Sequence, residues 1–347
     1  MRRIMVLAFV CVSLLINGME LQAQRGTAAQ QGALTVTLFS PLPAASPWGR
    51  TLNEIAAAWA QVTNNQVRLD VRHGRTESES TMMLHLNSNT IQAAIFTSMG
   101  LSTIDPSVMT VSTPFLIRTE EELTVVMNEI QRDLETRLNR GNLFIIAWSQ
   151  SGFVNFFSRE QIMVPDDLKR MRLASNEETA EINAVFSRAG FQVVEAEFAE
   201  IGRQLIQGQI GAIYYNPAAV AAFQLHTPTQ GNLRHMFAMN IAPILGGVVI
   251  NQHTWNAIGA LNARYQQDIM RVTREIGARL DREMQNTVNE AIREMTRAGL
   301  SVNRPSPAQE QLWIDEIERA LPSLIGSSLD MTLYNRIAGI LARHRGR

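Results

Sequence analysis

The sequence predicts an α/β protein of two domains facing each other across a cleft, and three observations carry that expectation. Over residues 164–217 short apolar runs alternate with amphipathic ones: a strand at 171–174, a helix over 177–189, a strand at 192–194, a helix over 199–207 and a strand at 211–215. That rhythm gives parallel strands joined by crossover helices, and such sheets take ligands at the carboxyl ends of their strands. The same rhythm opens the chain, and 347 residues suffice for two domains of ordinary size. Finally, Ile258, Leu261, Tyr265, Ile269, Val272 and Ile276 begin a run of apolar residues spaced by three or four that continues to Met295. A helix over 257–298 would be roughly 60 Å long at 1.5 Å per residue, longer than one domain, and would brace both. A coiled-coil dimer seam is the other reading of that face.

Taken in order, residues 34–39 alternate as a strand and 40–47 form a turn-rich loop. A helix over 48–62 buries Leu52, Ile55, Ala56 and Trp59 on one face. Asn64-Asn65 turns the chain into a strand at 67–71, followed by a helix over 77–86 and a strand at 92–96. The loops near 43–48, 73–76 and 97–101 would line one wall of the cleft. A helix over 119–139 ends at Gly141, and 143–148 is an apolar strand. Residues 153–158 alternate loosely and should cross to the second domain as a hinge strand. After the 164–217 unit come a helix over 218–225, strands at 234–239 and 245–250, the long helix, two helices over 306–321 and 329–342, and a solvated tail at 343–347.

Composition narrows the function. A net charge of −1 argues against nucleic acid as a partner, because phosphate binding needs a basic excess. A hydrophobic fraction of 46% with 18% charged residues argues against disorder over most of the chain. Arg2 and Arg3 precede an apolar run over 4–16 and then Leu21-Gln22-Ala23-Gln24. That is the pattern of a signal peptide, residues 1–23, cleaved after Ala23 to leave a disordered leader over 24–33. The expected location is therefore the periplasm. The one cysteine, Cys11, lies inside the apolar run, so the mature chain has no disulfide. A lipidated Cys11 is a poorer reading, since Phe9 and Val10 precede it and the apolar run continues past it.

Several stretches resemble one family. Pro165-Asp166-Asp167-Leu168-Lys169-Arg170-Met171-Arg172-Leu173-Ala174 is similar to the proline, acidic pair and Leu-Lys-Gly-Leu-Lys-Ile-Arg-Val of the solute-binding subunits of tripartite ATP-independent periplasmic (TRAP) transporters. Thr113-Pro114-Phe115-Leu116-Ile117 resembles that family's Pro-Phe-Leu-Phe, and Asn251 and Trp255 match its Asn-x-x-x-Trp. Tyr214-Tyr215-Asn216-Pro217 answers its Gln-Glu-Asn-Pro, with Asn216 retained and Tyr215 in place of the acid. The resemblance spans roughly residues 34–305. It implies a periplasmic binding protein fold: a first α/β domain of 34–152 with 245–255, a second of 153–244, crossing hinge strands, a bracing helix over 256–300 and C-terminal helices over 301–347. It also implies a small-molecule ligand, the TRAP membrane permease as partner, and in some members a helical-repeat (TPR) accessory protein.

The chain departs from the family where the ligand's charge would be met. Ala174 stands where the family places its carboxylate-clamping arginine, and Val154 where a second arginine is common. A carboxylate drawn into a closed cleft needs a charged, bidentate partner to offset its desolvation. Val154, Ala174, Tyr214 and Tyr215, with Phe153, Trp48 and Met236, would make a mostly apolar wall, with Asn155 and Asn216 as polar anchors. That suits an apolar or amphipathic ligand. The alternatives are a family-typical carboxylate binder using Arg172, two residues from Ala174, or a non-transport interaction protein whose aromatics merely fill the domain interface.

Catalysis has little support. The chain contains no Gly-x-Ser-x-Gly, His-Glu-x-x-His, Cys-x-x-Cys or phosphate-binding glycine loop. His73, His85, His226, His235, His253 and His344 lack ligand spacing, and Glu195 and Glu197 read as a solvated strand end. No cofactor or metal is expected. The sixteen methionines fall mostly at helical spacing, as plain core, though some suit an adaptable apolar pocket.

Overall fold

A computed structural model describes residues 32–175, 180–196, 198–326 and 329–346. The expected signal peptide, the leader up to residue 31, the start of the 177–189 helix and Glu197 lie outside them.

The first unit runs β1 (Leu34–Phe39), α1 (Pro47–Val62), β2 (Val67–Arg72), α2 (Glu79–Asn87), β3 (Ala93–Thr97) and α3 (Ser98–Ser102). Ser46 and Ser78 cap α1 and α2 by accepting from Gly49 N and Thr81 N. Asn64 and Asn65 both take left-handed backbone, which asparagine tolerates better than most residues. A 3-10 turn at Pro106–Ser112 leads to α4 (Glu120–Leu138), capped by Thr119.

One strand then does what the sequence divides between two. β4 (Leu143–Ser158) runs unbroken for 16 residues, so the expected strands at 143–148 and 153–158 are a single element. The backbone stays paired through a register shift between Gln150 and Phe153, where Gly152 has φ +85. Asn142, rather than Gly141, takes the left-handed turn into it. The second unit follows: α5 (Pro165–Lys169), β5 (Arg172–Ser175), α6 (Ala180–Arg188), β6 (Gln192–Glu195), α7 (Phe198–Ile206), β7 (Ala212–Tyr215), α8 (Pro217–Ala222), β8 (His235–Phe237) and β9 (Ala242–Asn251).

The long helix is interrupted. α9 (Gln252–Leu261) ends at Asn262, whose extended backbone lets its side chain accept from Arg264 N at 2.9 Å and start α10 (Ala263–Arg297). Its 35 residues make about 52 Å. Then come β10 (Ser301–Asn303), absent from the sequence reading, α11 (Pro307–Ala320) and α12 (Met331–Arg345). α12 extends into the expected tail because Arg345 reaches the Glu122 carboxylate at 2.7 Å. Burial alone would raise the Glu122 carboxyl; hydrogen bonds from Arg345 and from the Arg118 amide outweigh it and hold the carboxyl below its ordinary range.

The strands form one sheet in the order β2-β1-β3-β9-β4-β7-β5-β6, with β8 pairing β4 and β10 pairing β8. Parallel pairs at each end are joined through the antiparallel β3-β9-β4-β7 centre. β4 and β9 pair from Leu143 opposite Asn251 to Val154 opposite Ala242, so both strands serve both halves. α10 does the same: Ile269, Val272 and Ile276 join the core around Trp59, and Met295 joins the core of Ile201 and Leu205. Trp59 Nε1 donates to Thr273 Oγ1 at 2.9 Å, tying α1 to α10 inside that core. In the second half Trp313 of α11 is fully buried; its ring stacks on Phe191, and its Nε1 donates to Met163 O at 3.0 Å. Among the described residues no helix is long and apolar enough to cross a membrane.

Candidate ligand cleft

The carboxyl ends of β3, β5 and β7 converge on the hinge strands and enclose a cavity of about 220 Å³. Thr97, Ser98 and Met99 form one wall, as the 97–101 loop was expected to. Tyr214, Tyr215 and Asn216 form the other, with Val154 and Pro243 from the hinge strands between them. A neighbouring chamber of about 170 Å³, between Trp48, Leu52, Trp148 and Leu280, shares Thr97, Ile244 and Leu245 with it. The expected 73–76 loop lines neither: His73 meets Asn53 and Arg75 pairs with Glu77.

Polar groups in the main chamber are hydroxyls and one amide. Ser175 Oγ donates to Asn183 Oδ1 and lies 3.0 Å from the Tyr214 hydroxyl. Burial, helped by the neighbouring Tyr214, pushes the Tyr215 phenol up to about 12, so it stays a neutral O–H. Asn216 Oδ1 caps α8 by accepting from Ala218 N at 2.8 Å. In the neighbouring chamber the charged group is an acid: Glu79 accepts from Thr97 N at 3.0 Å and Thr97 Oγ1 at 3.1 Å. No Arg, Lys or His lines either chamber among the described residues. Residues 176–179 follow Ser175 in the sequence and read Asn-Glu-Glu-Thr.

The residues singled out from the sequence do not all meet. Val154, Tyr214, Tyr215 and Asn216 line the main chamber and Trp48 the neighbouring one. Phe153, Asn155 and Met236 do not: they line a separate cavity. Asn155 is also committed elsewhere, its Nδ2 donating to Met239 O at 2.8 Å. Ala174 is fully buried in the core with Ile201, Ile213 and Val220, and Ser175, one residue on, faces the cleft instead. Arg172 opens β5 at the end away from the cleft, and its Nη2 donates to Gly208 O at 2.9 Å. Sharing a strand face with Ala174 does not bring it to the ligand, since two residues span roughly 6–7 Å of strand. Ser175, Met109, Ser112 and Ile182 also line the main chamber, and no motif marks them. The alternation along β5 identifies Ser175; the others arrive from distant segments and carry no local signal.

A family model described as bacterial extracellular solute-binding protein, family 7, matches residues 40–325. A search of curated proteins finds no match. Among solved structures, a TRAP periplasmic solute-binding protein from Ralstonia eutropha H16 with bound (S)-2-acetolactate is similar. It has 17% identity over 89% of this chain and 99% of its own, with a TM-score of 0.77. One from Ochrobactrum anthropi, whose C-terminus is bound in its ligand-binding pocket, has 17% identity over 90% of this chain and 96% of its own, with a TM-score of 0.79. One from Shewanella oneidensis with bound succinate has 14% identity over 89% and 99%, with a TM-score of 0.76. At these identities the likeness is one of fold.

Proposed function

The chain belongs to the bacterial extracellular solute-binding proteins of family 7, and from that premise we propose that it is an exported periplasmic protein that captures a neutral, mostly apolar solute between its two halves and delivers it to a TRAP-type membrane permease. Binding closes the halves about β4 and β9, and no chemical step follows. Export rests on the signal-peptide pattern of residues 1–23.

One observation carries the ligand class: the described cleft lining holds no cation, and its charged group is the acid Glu79. The similar structures from Ralstonia and Shewanella hold acetolactate and succinate. A carboxylate seated here would lose its hydration without a charged partner, at a cost of several kcal/mol. A neutral molecule avoids that cost. Its apolar body would lie along Val154, Met99, Ile182 and Leu245, and its polar end would meet the Ser175, Tyr214 and Tyr215 hydroxyls.

The test is mass spectrometry of molecules that co-purify with the mature chain, followed by thermal-shift titration of the candidates beside succinate and galacturonate. We expect a neutral apolar or amphipathic molecule to be released and, re-added at about 100 times its Kd, to stabilise by about 2.7 kcal/mol. Stabilisation by the acids instead overturns the reading.

A further inference from the structure

Behind the hinge strand lies a second cavity, of about 470 Å³, unused by the function proposed above. Its floor carries Phe153 and Asn155 of β4 and Met236 of β8. One wall is a single face of α10, where Gln285, Val288, Asn289, Ile292 and Arg293 recur at three- and four-residue spacing. The facing wall includes Ala238 after β8, and Val302 of β10 with Arg304 just beyond it. Only the fold brings these together, because β10 pairs in parallel with β8, Val302 opposite Met236.

The charges are sorted along this groove. At one end Glu120 hydrogen-bonds the Gln285 side chain. Arg293 lies eight residues further along the helix, roughly 12 Å away, with apolar Val288 and Ile292 between. Earlier on the same helix Arg271, Arg274 and Arg279 each meet a carboxylate. Arg293 and Arg304 line the groove, are exposed, and make no hydrogen bond or ion pair among the described residues. Apolar floor, polar sides and two uncommitted arginines complement a molecule with an apolar chain and an anionic head.

We propose that this groove is a second binding site, for a medium-chain carboxylate whose tail lies along Phe153, Met236, Val288 and Ile292 and whose head meets Arg293 and Arg304. The arginines stand at an exposed rim, so the carboxylate keeps part of its hydration while gaining bidentate donors. The tail supplies the burial term, about 25 cal/mol per Å² of apolar surface removed from water. The groove is distinct from the cleft because it shares no lining residue with either cleft chamber: Val154 lines the main chamber, Phe153 and Asn155 the groove. Their dividing wall is thin at Gly152, where a Cβ would stand 3.5 Å from Asn216 Nδ2 and 3.8 Å from Val288 Cγ2.

Calorimetric titration of the mature protein with octanoate, and with 1-octanol as its uncharged counterpart, tests the site. We expect saturable octanoate binding, weakened at least about tenfold in the Arg293→Gln/Arg304→Gln double variant, the scale of a charge-assisted pair. Octanol should bind the groove at least about tenfold more weakly for the same reason. A Val154→Trp variant, which fills the cleft, should leave octanoate affinity within about twofold, since Val154 lines the main chamber and not the groove. The double variant should keep the cleft ligand and the melting temperature of the parent, because both arginines are exposed. Octanoate binding lost in Val154→Trp but retained in the double variant would place the acid in the cleft and overturn both this inference and the neutral-solute reading. Absence of saturable octanoate binding overturns the inference alone.

Discussion

Phe153, Val154 and Asn155 are consecutive, yet they serve compartments of opposite character. Val154 faces a cleft whose described lining has hydroxyls, apolar groups and one tied acid; its neighbours face a groove rimmed by Arg293 and Arg304. The two compartments share no lining residue, although consecutive residues of one strand supply both. A basic residue missing from one compartment therefore says nothing of the other. Whether this protein meets an anion depends on which compartment is considered.

The largest effect should come from putting an arginine back at the position the family motif suggests. Ala174→Arg would place a guanidinium in the core of Ile201, Leu205, Ile213 and Val220, where nothing offsets its desolvation. We expect a loss of about 3–5 kcal/mol in urea unfolding, comparable to an uncompensated buried charge. Unchanged stability with new succinate binding would mean that Ala174 does reach the cleft, and the division drawn here would fail. Val154→Arg is the complementary change, made on the cleft side proper. Succinate affinity should rise about 100-fold over the parent, about 2.7 kcal/mol, while the co-purifying neutral molecule is lost. If neither ligand responds, the cleft is not where the solute sits.

Gly152 separates the two sides, and its substitution should be milder. The Cβ of Gly152→Ala would meet only ordinary contacts, so the cost comes from the left-handed backbone at φ +85. About 1–2 kcal/mol is expected, with ligand affinity changed because the hinge strand shifts register at this residue. Stability lost without any change in affinity would make Gly152 a structural turn with no part in the hinge.

Much of this architecture can be read before the fold is seen. Strand limits such as Leu34–Phe39 and the asparagine turn at 64–65 follow from local chemistry. The break at Asn262 does not, because the apolar spacing passes across it unchanged and only the cap geometry marks it. β10 is three residues long and exists through its pairing with β8, so no periodicity announces it. Val154, Tyr214, Tyr215 and Asn216, which lie in or beside motifs, line the cleft; Ala174 and Arg172 do not, because motif position fixes neither strand face nor strand end. The back groove was hidden because its residues are gathered from positions 120 to 304.

The smallest expected effect concerns an acid bonded to the hinge strand. Asp281 of α10 accepts from Ser149 Oγ at 2.9 Å and Gln150 N at 3.0 Å, beside the register shift in β4. Burial pushes its carboxyl above the ordinary carboxylate range, only partly offset by those hydrogen bonds and by Arg282. An acid whose folded pKa is raised binds its proton more tightly folded than unfolded, so stability falls as pH rises through the window between the ordinary and the raised value. Asp281→Asn keeps an oxygen acceptor and cannot ionise. Its melting temperature should match the parent's below the ordinary carboxylate range and exceed it above the window, by no more than about 2 °C. A variant less stable than the parent at neutral pH would show that the ionised carboxylate's bonds to Ser149 and Gln150 outweigh its desolvation. The hinge strand would then be held by a charge beside its register shift.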